Sequence, residues 1–136
     1  MSYLDEEVVE DFKKINTKII ILSDSKHDLI AEKINDNIPF SVSNIAWNLL
    51  KDAIYLGAST SQMSMDALAE KIKLITEGDV IILGDSTDNA YLIDIKDLSP
   101  ALKIFSTIPQ HTYITQERLD WIAGISFEGD IYFSKL

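Results

Sequence analysis

Residues 79–95 read Asp79-Val80-Ile81-Ile82-Leu83-Gly84-Asp85-Ser86-Thr87-Asp88-Asn89-Ala90-Tyr91-Leu92-Ile93-Asp94-Ile95. Two short β-rich runs flank Gly84 to Asn89, residues that favour turns, and the pattern predicts a hairpin with a loop of about five residues. Gly78 marks a change of period. Before it, Leu4, Val8, Phe12 and Ile15 recur at helical spacing, so a first helix is expected over roughly 4–15. Lys18 to Ser23 reads as a buried strand. Ser25 and Asp28 then suit a capping pair for a helix whose inner face is His27, Ile30, Ala31 and Ile34. After the break at Asn35 to Pro39, the wide apolar set Val42, Ile45, Ala46, Leu49, Leu50, Ala53, Ile54 and Leu56 predicts a long helix stopping at Gly57. A further helix, capped by Ser64 and carrying Met65, Leu68, Ile72 and Ile75, is expected to pack against it as a helical hairpin.

Downstream, Pro100 to Phe105 suits a short helix, because proline in the first turn lacks only an amide that would be unpaired anyway. A strand is expected at His111 to Thr115. Trp121, Ala123, Ile125 and Phe127 alternate onto one face, Glu128-Gly129 turns the chain, and Ile131 and Phe133 lead out on a last strand. The expected fold class is α+β: helices in the first half pack on one face of a mostly antiparallel β-sheet formed mainly by the C-terminal half. One domain, residues 1–136, accounts for the length.

The chain carries 22 acidic and 12 basic residues, a formal charge of −10. Two segments hold the excess. Residues 1–11 contain Asp5, Glu6, Glu7, Glu10 and Asp11 with no base, and residues 77–97 contain Glu77, Asp79, Asp85, Asp88, Asp94 and Asp97 against Lys96 alone. Such a surface repels phosphate backbones, so nucleic acid is not the expected ligand, while complementary charge would speed encounter with a basic protein. Acidity that serves only solubility is the competing explanation. The longest apolar runs are four residues, far short of the ~20 that cross a bilayer, and the N-terminus has acids where a secretory signal needs bases. With no cysteine, the cytoplasm is the expected compartment.

Chemistry is sparse. His27 and His111 stand far apart in no metal-ligand spacing, and Asp85-x-x-Asp88-Asn89 lacks the alternating oxygens and closing Glu of a calcium loop, so no metal is expected. The five glycines stand singly, with no phosphate cradle among them, and Ser59 lacks the setting of a nucleophile elbow. Neither a catalytic residue nor a cofactor is expected, although paired carboxylates of a small hydrolase stay open as an alternative. Trp47 and Trp121 lie in amphipathic elements and are placed in the core.

The segment Tyr113-Ile114-Thr115-Gln116-Glu117-Arg118-Leu119-Asp120-Trp121, running into Phe127-Glu128-Gly129-Asp130-Ile131-Tyr132-Phe133, resembles the closing strands of small immunity proteins from bacterial polymorphic and contact-dependent growth inhibition toxin systems. The resemblance implies a non-enzymatic protein that binds one cognate toxin domain, commonly a nuclease, and covers its active site or blocks what it must bind. Such a nuclease is basic, which suits an acidic inhibitor. The expected contact residues are Asp85, Asp88, Asp94 and Asp97, then Glu77 and Asp79. An adaptor binding a non-toxin protein through a helical face around Trp47 and Tyr55 is the alternative.

Overall fold

The computed structural model describes residues 2–136. The helices are α1 (Tyr3–Lys14), α2 (Asp24–Asn37), α3 (Gln62–Ile75) and α4 (Leu98–Phe105). The strands are β1 (Ile20–Ile21), β2 (Phe40–Ser41), β3 (Asn44–Ile45), β4 (Ile54–Ala58), β5 (Asp79–Gly84), β6 (Tyr91–Asp94), β7 (Thr112–Thr115), β8 (Trp121–Ile125) and β9 (Asp130–Lys135). Seven of them form one sheet in the order β1-β6-β5-β7-β8-β9-β4, every neighbouring pair antiparallel. The fold class is therefore the α+β arrangement that the sequence predicts, with the sheet drawn mostly from the C-terminal half.

The expected hairpin over residues 79–95 forms: β5 and β6 pair from Asp79↔Asp94 to Ile82↔Tyr91. Its apolar run is continuous because both faces are covered. Val80 and Ile82 join a cluster with Val8 and Phe12 of α1, Leu68 and Ile72 of α3, and Leu102 and Phe105 of α4. Ile81 and Leu83 face the other way, under Ile30, Ile34 and Ile38 and beside Ile45 and Trp47. Helices thus lie on both faces of the sheet rather than on one.

The expected helix at 41–56 is absent. Ser41 pairs with Asn44 around the two-residue turn Val42-Ser43, a 3-10 turn follows at Trp47–Leu49, and Ile54–Ala58 joins the sheet edge against β9. The spacing of apolar residues fits a helix, but Trp47 stacks on Tyr132 with ring centroids 5.1 Å apart, and the β-branched and aromatic Ile54-Tyr55 complete the ladder. Gly57, expected as a helix stop, sits at a register shift in β4 with φ +117°, so α3 has no helical partner there. Smaller corrections follow the same logic. β1 is an exposed two-residue edge strand, not a buried one. α2 is capped by Ser23, whose hydroxyl accepts from the Lys26 amide, and α3 by Ser61, which accepts from Ser64. Phe127 lies past the end of β8 and is exposed, whereas Trp47 and Trp121 are both buried.

Candidate functional site

The 85–89 loop is held from two places in the chain, the adjacent Gln110 and His111 and, far from them in sequence, Asp5. The Asp85 amide donates to the His111 carbonyl at 3.2 Å, and the Asp85 carboxylate accepts from the His111 amide at 2.9 Å. Gln110, buried, turns its Oε1 to accept from the amides of Ser86 (3.0 Å) and Thr87 (2.9 Å). Asp5 of α1 takes the last two: Oδ2 accepts from Asp88 at 2.6 Å and Oδ1 from Asn89 at 3.1 Å. Five consecutive amides are thereby satisfied internally, so none is free to cradle a phosphate, and the loop's shape is fixed before any partner arrives.

Asp5 is the residue that sequence reasoning misplaced. Counted there as a surface acid, it is fully buried. Ser2 caps α1 by accepting from the Asp5 amide at 3.1 Å while its hydroxyl donates back to the carboxylate, and the Tyr91 hydroxyl donates to Oδ1. Burial pushes the Asp5 carboxyl up, but these bonds from Ser2, Tyr91, Asp88 and Asn89 together outweigh it and hold the group below the usual aspartate value. Tyr91 is pushed up, first by burial and then by its bond to Asp5. The signal for this was present: Ser2-x-x-Asp5 has the spacing of a capping box. Gln110 offered no comparable signal.

The six expected contact residues do not form one patch. Asp85 and Asp88 sit in the loop, at the end of the hairpin where Asp5 anchors α1 and its exposed Glu6. Asp79 and Asp94 face each other at the opposite end, five residue steps or about 17 Å along β5. There Asp79, Asp94 and the half-buried Asp97 share a shallow depression with Lys18 and Lys96, so their charge is locally offset. Glu77 and Asp79 also border a larger depression, of about 780 Å³, which holds Lys73 and Arg118 as well as Glu117 and Asp120. Asp94 accepts from the Lys96 amide at 3.0 Å. No described cation lies within ion-pair distance of any of the six, Asp85 and Asp88 included. Among the described residues the ion pairs are Lys14–Asp11 (3.9 Å) and Arg118–Asp120 (3.3 Å).

The structure therefore joins the two acidic segments at one end, through Asp5, and separates the second segment into a loop end and a mixed-charge end. The adaptor alternative fares differently. Trp47 is covered, and no helix presents Tyr55, which lies exposed on β4 with its hydroxyl 3.2 Å from Asp130. Among the described residues, no group of three His, Asp or Glu side chains converges as metal ligands. None of the helices is long and apolar enough to cross a membrane. No protein-family model matches the chain, and no curated protein is significantly similar to it.

Proposed function

We propose that this chain is a cytoplasmic, non-enzymatic immunity protein that neutralises a cognate, basic nuclease toxin by stoichiometric binding at the acidic end formed by α1 and the 85–89 loop. The single observation that supports this reading most is the loop itself. Its backbone is locked by Asp5, Gln110 and His111, so Asp88 is presented without an ordering cost, and no described cation lies within ion-pair distance of it. A rigid, uncompensated anionic prong on a −10 chain is suited to fast capture of a positively charged surface. Asp85, Asp88 and Glu6 carry the attraction in this scheme. Asp79, Asp94, Asp97 and Glu77 contribute less, since Lys18, Lys73 and Lys96 line the same depressions and lower the local excess of negative charge.

The test pairs this protein with the toxin domain encoded beside it. Stopped-flow association at low salt should slow by about tenfold or more for Asp88→Lys combined with Glu6→Lys, with a flatter salt dependence, because steering acts on the on-rate. Asp79→Lys should change the rate by less than about twofold. An on-rate indifferent to the Asp88 and Glu6 reversal removes this surface from the interface, and failure of the chain to protect cells expressing that toxin domain removes the function.

A further inference from the structure

Charge is missing from one stretch of an otherwise charge-rich chain. From Ile38 to Met65 the charged residues are Lys51 and Asp52 alone. This stretch folds as β2, β3, the 3-10 turn, β4 and the first turn of α3. The hairpin and β4 enclose a depression of about 480 Å³, with Asn44, Trp47 and Asn48 on one side and Ile54, Tyr55 and Tyr132 on the other, and none of its lining residues is charged. The larger depression, bordered by Ile81, Leu92 and the end of α3, is lined by six charged residues. Loss of charge with gain of exposed aromatic and aliphatic side chains is the composition of an interface centre. Leu49 (68%) and Tyr55 (57%) are exposed here, and β4, the terminal strand, has one unpaired edge.

Beside the depression stands a knob. Val42, at the tip of the β2–β3 turn, is fully exposed and has φ +58°. Two-residue hairpin turns place glycine, asparagine or aspartate in that conformation, and a β-branched residue there is strained. Neither solvation nor backbone preference accounts for valine at this position. Contact with another molecule would.

The occupant follows from charge. Two copies of a −10 chain meet like charge at most approaches, and the 38–65 surface is where they do not. It also carries a knob and a hollow side by side, which is what a two-fold interface requires, since each copy must supply both. We propose that the protein forms a two-fold homodimer in which Val42 of each protomer enters the uncharged depression of the other.

Sedimentation equilibrium across the micromolar range tests this without any toxin present. The expected result is a dimer that tightens as sodium chloride is raised, because salt screens the repulsion between protomers, the reverse of what salt does to capture of a basic partner. Val42→Gly should raise the melting temperature of the dilute monomer by relieving the turn, yet weaken dimerisation about tenfold or more by removing the knob. Val42→Asp, which keeps a residue tolerated at positive φ, should abolish the dimer by burying a carboxylate in a hollow that holds no cation. A monomer at all concentrations and salts overturns the proposal, as does a dimer indifferent to either substitution. Dimerisation is read through Val42 and toxin capture through Asp88 and Glu6, so either can fail with the other intact.

Discussion

Asp5 concentrates the electrostatic cost and the hydrogen-bonding gain of this fold in one side chain. A buried carboxylate is tolerable only when donors fill its lone pairs, and Ser2, Tyr91, Asp88 and Asn89 do so here. Asparagine has the same shape but brings an NH2 group to face amides that also donate. Asp5→Asn should therefore cost about 3 kcal/mol in urea unfolding, and an unchanged midpoint would show that the four bonds are not formed. The pH dependence has a definite sign. The folded-state value of Asp5 lies below its ordinary one, so its contribution is present above about pH 4 and is lost as pH falls through the folded value. Acid should accordingly destabilise the wild type more steeply than Asp5→Asn below about pH 4, with the two curves converging. Tyr91 gives the opposite limb. It is held protonated by burial and by Asp5, so its contribution is intact below about pH 10 and declines as pH rises further.

Among the elements, the β5–β6 and β8–β9 hairpins were legible because local signals agreed: β-branched runs, turn residues between them, and spacing that matched the strand lengths. The 38–58 segment was not, because its apolar residues satisfy helical spacing while contacts remote in sequence decide the outcome. Trp47 is the clearest of these. It lies on Tyr132 and directly over Gly124 of β8, where an added Cβ would come within 2.6 Å of the indole ring. No local pattern around Trp47 reveals that a strand far along the chain leaves it that space. Gly124→Ala should displace the indole, cost about 2 kcal/mol, and alter the near-ultraviolet circular dichroism of Trp47. Unaltered spectra and stability would mean that the ring does not rest there. The same blindness explains the faces of the sheet: helices were expected on one face only, and the second cover over Ile81 and Leu83 comes from α2, whose placement no local pattern fixes.

Across the whole molecule, charge is sorted in a way that counting along the chain could only half capture. Sequence proximity grouped Asp79 and Asp94 with Asp85 and Asp88, yet a strand carries them apart, and Lys18, from an unrelated segment, folds in beside the first pair. It also counted Asp5 as surface. What survived is the excess itself, and few ion pairs relieve it. Self-repulsion should make the dilute protein more stable in about 0.5 M sodium chloride, where the Debye length is roughly 4 Å, than in low salt. A melting temperature that is flat or falling with salt would show the charges already balanced. The latch between the first helical turn and the 85–89 loop has a practical corollary. Because one carboxylate closes both, whatever tugs on the amino end slackens the loop too. A bulky fusion ahead of Ser2 would therefore blunt any activity residing in that loop, whereas the same fusion after the half-exposed Leu136, whose amide is tied only to the Asp120 carbonyl, would leave it intact.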